Sequence, residues 1–219
     1  MSEKLSFYKK KYQKNGTIMI PFKEEINPID QEDFENLLNY CENVEKEFIE
    51  IGDAGESNNL MVGRFMTDKE KPQIVKNEFS LKLLKILKKD VVINLLSEIL
   101  DIKDDLYYRR VQFNQINENN FVGYHLDTDS NPDYLAACVI QLGDDFEGGI
   151  YRVYQKDKSY NDFCPTKGSL IISNCKYPHE VTKVTKGHRK SLVFFISKHF
   201  GKNKRYSLLL MDFSKINGK

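Results

Sequence analysis

The chain has no tryptophan, no Cys-x-x-Cys pair, and no apolar run approaching the ~20 residues of a membrane-spanning helix. Its four cysteines, Cys41, Cys138, Cys164 and Cys175, are too scattered for a zinc knuckle or a disulfide framework. Cys138 lies in an apolar run, as a small core residue does. The opening Met-Ser-Glu-Lys-Leu-Ser-Phe-Tyr-Lys-Lys lacks the apolar stretch of a secretory signal. A reducing, cytoplasmic setting is the resulting expectation. Charge of one sign is missing too: 33 Lys and Arg face 32 Asp and Glu, a net charge of +1. That excludes a general electrostatic pull toward nucleic acid or an anionic membrane. The basic run 198–205 reads as a solvated segment. No internal repeat or low-complexity stretch appears. What remains is ordinary for a globular chain: 219 residues, 40% hydrophobic, with 14 Phe and 12 Tyr, enough for one domain with helical additions.

The hydrophobic pattern divides the chain near residue 105. Residues 1–105 read as a helical support region with a lead-in strand at 16–22, stopped by Pro21. Asp30 is a candidate N-cap for a helix through about Ile49, with Phe34, Leu37, Leu38 and Cys41 at helical spacing. Polar, glycine-containing residues 52–64 read as a loop over the site. A second helical region starts at Asn77 or Ser80 and carries a periodic apolar face through Leu100. That stripe is core.

Residues 106–219 read as strands. Runs at 107–116, 134–142, 150–154, 169–173, 180–184 and 189–197 are rich in β-branched and aromatic residues, and turn residues separate them. Residues 207–213 add a last strand or helix. Short strands following helices predict an α+β fold, a double-stranded β-helix (jelly-roll) core with packed N-terminal helices, forming one integrated domain.

Within this frame His125-Leu126-Asp127 stands out. In extended backbone, side chains at i and i+2 share a face, so His125 and Asp127 converge while Leu126 turns away. By itself a His-x-Asp is weak, because a surface or hydrogen-bonded histidine explains it as well. A third ligand must come from elsewhere in the chain, and His179 opens a later strand. Two imidazoles and one carboxylate form the facial triad of non-haem iron sites. If Thr185-Lys186-Gly187 is a three-residue hairpin loop with left-handed Gly187, Lys183 pairs with Arg189. His179, Val181 and Lys183 then share a face with Arg189 and Ser191. There the planar guanidinium can grip a carboxylate through two parallel bonds, with the Ser191 hydroxyl beside it.

These residues belong to a longer pattern: Asp145-Phe-Glu-Gly-Gly149, Pro165-Thr-Lys-Gly-Ser169 and His179-Glu-Val-Thr-Lys-Val-Thr-Lys-Gly-His-Arg189. Over roughly 111–197 the chain resembles the 2-oxoglutarate- and iron(II)-dependent dioxygenases, in particular their prolyl 4-hydroxylase-like branch. The resemblance implies that His125, Asp127 and His179 bind iron(II) and that Arg189 binds the distal carboxylate of 2-oxoglutarate. It also implies O2 as co-substrate and ascorbate as an accessory reductant. Where relatives carry a tyrosine that touches the co-substrate, this chain has Gln141, whose amide can still donate to a carboxylate.

The expected reaction is hydroxylation of an unactivated C–H bond in an amino-acid, peptide or other small-molecule substrate, with 2-oxoglutarate decarboxylated to succinate. Asp127 weighs against halogenation, because related halogenases replace this carboxylate with a small residue. The alternative is a non-oxidative, metal-dependent cupin-like isomerase or hydrolase, which needs no inward Arg189. A degenerate binding domain does not fit an intact triad. Tyr108, Arg110, Gln112 and Tyr124 are candidate pocket residues, with Arg64 reaching in from the loop. Asp129 and Asp133 could attract a basic substrate, although turn roles explain them as well.

Overall fold

The computed structural model describes residues 2–205; the strand or helix expected at 207–213 lies outside them. In chain order the elements are α1 (Glu3–Asn15), β1 (Thr17–Ile20), α2 (Gln31–Asn43), β2 (Lys46–Ile51), β3 (Ser57–Asp68), β4 (Pro72–Ile74), α3 (Ser80–Leu87) and α4 (Asp90–Leu100). The second half carries β5 (Tyr107–Ile116), β6 (Val122–His125), a 3-10 turn (Asp127–Asp129), β7 (Ala136–Gln141), β8 (Phe146–Gly148) and β9 (Tyr151–Tyr154). It ends with β10 (Tyr160–Phe163), β11 (Leu170–Asn174), β12 (His179–Val181), β13 (Val184–Gly187) and β14 (Arg189–Ser197).

The main sheet runs β1-β11-β7-β14-β5-β3, with β2 and β4 also on β3. A smaller sheet, β6-β12-β9-β10, faces it and is joined to it where Asn58 of β3 pairs with Val122 of β6. Alternation on the main-sheet strands sorts their side chains between two cores. Val111, Phe113, Cys138, Ile140, Ile172, Leu192 and Phe194 pack under the helices. Ile116, Val139 and Ile171 turn the other way and meet Val153 and Val181 between the sheets. This is a nearly closed jelly roll with helices on one outer face, as the pattern predicts.

The helices begin and end on local chemistry. Asp30 Oδ1 accepts from the Asp33 amide at 2.8 Å, which caps α2 at the expected residue. Asn77 and Ser80 both contribute to the α3 start, since Asn77 Oδ1 accepts from the Ser80 amide (2.8 Å) and hydroxyl (2.9 Å). One expected helix is in fact two, broken where Lys89 becomes extended.

Two expectations fail in the first half. The helix from Asp30 ends at Asn43, because Val44 is extended and its Cγ1 packs where Gly63 leaves room; a Cβ at 63 would come within 2.3 Å of it. Residues 46–51 are then a strand. Residues 52–64 are not a loop but a tight turn followed by most of β3, a central strand. Its inward Leu60 and Val62 alternate with outward residues, but the polar Asn58 and Arg64, which face the cleft, hide the pattern.

The hairpin expected around 185–187 does not form. β13 pairs with β8, β12 pairs with β6 and β9, and β14 pairs with β5 and β7. The segment crosses from one sheet to the other instead of doubling back. Gly187 does adopt φ +72°, but the reason is different: a Cβ there would lie 2.2 Å from the Asp145 carbonyl oxygen.

Candidate metal centre and cleft

Neighbouring strands of the smaller sheet place the two imidazoles. His125 ends β6, His179 begins β12, and the two are direct partners across the antiparallel pair. Their ring centroids lie 4.3 Å apart. Leu126 keeps extended backbone (φ −111°, ψ 127°), so Asp127 returns to the His125 face before the chain tightens into the 3-10 turn. Asp127 Oδ1 is 3.4 Å from His125 Nε2, and Oδ2 is 3.6 Å from His179 Nε2.

Backbone carbonyls set both tautomers. His125 Nδ1 lies 2.7 Å from the Gly123 oxygen and His179 Nδ1 lies 3.2 Å from the Tyr177 oxygen. A carbonyl only accepts, so each Nδ1 carries a proton, and in the neutral ring each Nε2 is left with its lone pair free for a metal. Burial favours a neutral His179 and pushes its pKa down. At His125 burial acts the same way, but the negative charge of Asp127 and the bond it would accept from a protonated ring outweigh it, and the net shift is upward. Burial alone would raise Asp127; the two imidazoles and Arg110 together hold it below the usual carboxylate value.

One ligand atom from each of the three residues lies within 4.8 Å of the others. Buried Asp127 Oδ2 has no hydrogen-bond partner among the described residues. Two neutral nitrogens and one carboxylate oxygen, converging with an unsatisfied acceptor, fit a divalent transition metal such as iron(II).

A cleft of about 790 Å³, open to solvent, reaches from this cluster between the sheets. Arg189 and Ser191 of β14 line it, as expected, although not for the reason expected. Arg189 faces inward because it opposes Ile116 of β5 at the start of a main-sheet strand. Its stem passes Gly149, where a Cβ would lie 3.0 Å from Arg189 Cδ. Arg189 is 2% exposed, its Nε and Nη2 have no partner among the described residues, and burial pushes its pKa down to about 10. A buried cation with free donors has the chemistry to hold an anion.

Gln141 sits differently. Its Nε2 donates to the carbonyls of Gly143 (2.7 Å) and Lys190 (3.0 Å), and the residue does not line the cleft. Tyr151, which the sequence does not single out, does line it, with a buried hydroxyl that has no partner among the described residues. Its ring lies 5.2 Å from that of His179, and it lines the same cleft as Arg189. Its position two residues after Gly148-Gly149, on a strand of the smaller sheet, was the available signal.

Of the other candidates, Arg64, Arg110 and Gln112 line the cleft. Tyr108 instead packs under the helices and donates to the Leu87 carbonyl, and Tyr124 is 58% exposed. Asp129 is exposed and Asp133 pairs with Lys204 at 2.6 Å; neither lines the cleft, whereas Asp53 and Glu56 do.

Residues 111–197 match the profile of the 2OG-Fe(II) oxygenase superfamily. The fold is similar to a crystal structure from Burkholderia pseudomallei described as an oxidoreductase of the 2OG-Fe(II) oxygenase family. That likeness has 32% identity and a TM-score of 0.85, covering 92% of this chain and 94% of the other. A Pseudomonas putida prolyl-4-hydroxylase is similar in fold at 17% identity and TM-score 0.60, covering 89% and 99%. So is SnoN, a non-haem α-ketoglutarate-dependent epimerase from nogalamycin biosynthesis, at 9% identity and TM-score 0.68, covering 89% and 80%. No match emerges among curated protein sequences.

Proposed function

The chain belongs to the 2OG-Fe(II) oxygenase family, and from that premise we propose that it hydroxylates an unactivated C–H bond of an amino-acid, peptidyl or other small substrate. The reaction consumes O2 and 2-oxoglutarate and releases succinate and CO2. In this reading His125, Asp127 and His179 hold iron(II), and Arg189 holds the distal carboxylate of 2-oxoglutarate with the Ser191 hydroxyl beside it. The observation that carries the proposal is one cleft containing both an unsatisfied His-Asp-His cluster and a buried, unpartnered guanidinium. A cupin-like isomerase or hydrolase has no use for that second feature.

Bound iron supplies O2 activation and the oxidising power; the protein's own residues do the rest. The Gly123 and Tyr177 carbonyls fix the imidazoles as neutral ligands. Asp127 brings the negative charge that offsets the metal's. Arg189 sets the co-substrate's direction by gripping the carboxylate away from the metal, and Val139, Val181 and Val193 give that end of the cleft dry walls. Tyr151 takes over the contact that a tyrosine makes at the position of Gln141 in relatives, donating its hydroxyl to the same carboxylate.

Aerobic incubation with iron(II), 2-oxoglutarate and a panel of amino acids, peptides and proteins is expected to give substrate-stimulated succinate, together with a product 16 Da heavier. Isomerised or hydrolysed product without succinate would overturn the assignment. Tyr151→Phe removes one hydrogen bond to a charged group. It is expected to raise the KM for 2-oxoglutarate by roughly tenfold, the equivalent of about 1.5 kcal/mol, with kcat much less affected. An unchanged KM would remove Tyr151 from the co-substrate site.

A further inference from the structure

The cleft contains a second buried guanidinium. We propose that Arg110 anchors the substrate, and that the substrate therefore carries a carboxylate. This rests on the oxygenase reading above and goes beyond it by naming the substrate's chemical class.

Arg110 reaches the cleft through an irregularity in β5. Opposite β14, Phe194 pairs with Val111 but Ile196 pairs with Tyr108, so Phe195 faces both Arg109 and Arg110. A bulge of this kind re-aims side chains. Here it sends Tyr108 under the helices and Arg110 into the cleft. Arg109 has a structural partner, the buried carboxylate of Asp68 at 2.9 Å. Arg110 has no such partner on the sheet.

Arg110 is 8% exposed, and the plane of its guanidinium is fixed by the Phe195 ring, 4.3 Å from Cζ. Of its five N–H donors, Nη1 donates to Asp53, while the buried Nε has no partner among the described residues. Asp53 is a weak claimant. It sits in the turn between β2 and β3, and its side chain is 51% exposed. A substrate carboxylate can displace it and take two parallel bonds from a fork already oriented.

The position suits a substrate more than the co-substrate. Arg110 lies toward the start of β5, whereas Arg189 opposes Ile116 at its end, so most of the strand separates their positions. The two guanidiniums thus serve two anionic groups in one cleft. Beyond Arg110, Gln112 and Asn114, bonded to each other at 2.8 Å, line the same cleft with further polar groups.

The test is binding to anaerobic protein loaded with manganese(II) and 2-oxoglutarate, read by calorimetry and thermal shift. The probes are L-amino acids, their N-acetyl forms and the matching primary amides. At least one acid is expected to bind more than roughly tenfold tighter than its amide. Arg110→Gln should bring that ratio near one. Asp53→Asn, which removes the competing carboxylate, should tighten acid binding, so the proposal stays testable if Arg110→Gln fails to fold. Acids and amides binding alike, no acid binding at all, or an unchanged ratio in Arg110→Gln would each overturn the inference while leaving the oxygenase reading intact. If 2-oxoglutarate and manganese(II) themselves fail to shift the melting temperature of the wild-type chain, the oxygenase reading falls and takes this inference with it.

Discussion

Asp127→Ala is expected to abolish substrate-stimulated succinate formation and to weaken manganese(II) binding by at least ~100-fold. Loss of a residue that merely supports a metal ligand costs 10–100-fold, and Asp127 is proposed as a ligand itself. It is the one anionic member of the cluster, 3.4 and 3.6 Å from the two imidazole nitrogens. Without it a dication would face two neutral nitrogens in a buried site, where uncompensated charge is expensive. The neighbourhood would also become more cationic, because Arg110 would be left with Asp53 alone. Anaerobic titration calorimetry with manganese(II), beside the succinate assay, checks both parts. Circular dichroism separates loss of metal from loss of fold, since Asp127 lies in a short turn and not in a strand. Unchanged metal affinity, or retained substrate-stimulated turnover, would remove the triad assignment.

Much of this arrangement could be read from the residues, but the reasons differ in quality. The His-x-Asp geometry holds for the physical cause invoked, extended backbone at Leu126. Strand β5 occupies the span expected from its aromatic and β-branched residues, although its burial alternates only around Val111–Asn114. The inward direction of Arg189 was anticipated through a hairpin that does not exist; the correct cause is its register opposite Ile116. Gly187 is left-handed in either account, so a glycine at a turn does not reveal which strands the turn connects. β3 was missed because a strand lining a polar cleft loses the apolar alternation that identifies strands, so function there masks the fold. Tyr108 and Arg110 share parity in sequence yet face opposite ways, because a bulge adds a residue that no period-two argument detects. Tyr151 escaped because a tyrosine in a strand is ordinary; only its unpartnered, buried hydroxyl sets it apart.

Arg189→Met is expected to separate ligand binding from folding. The side chains are similar in length, and the aliphatic stem beside Gly149 is preserved. In the free protein Arg189 is a buried cation without an ion-pair partner among the described residues, and burial drives its pKa to about 10. The folded pKa is lowered, so the folded state binds the extra proton less well than the unfolded chain, and below pH 10 the penalty is fully present. A depression of that size corresponds to a cost on the order of 3 kcal/mol. Removing the charge relieves it, so the melting temperature of the ligand-free variant should be unchanged or a few degrees higher. The response to 2-oxoglutarate should move the other way. At a concentration 100 times its Kd, the co-substrate stabilises the wild type by about 2.7 kcal/mol, or roughly 5–10 °C for a chain of this size. Losing a buried, charge-assisted anchor costs about 2 kcal/mol or more, roughly 30-fold in affinity, which reduces the gain to below ~1 kcal/mol. A structural arginine would give the opposite pair of results, a lower melting temperature and an intact response to 2-oxoglutarate. Thermal denaturation with and without 2-oxoglutarate, under nitrogen with manganese(II), therefore tests the role of Arg189 without turnover. A full-sized shift in the variant would mean that the distal carboxylate is held elsewhere.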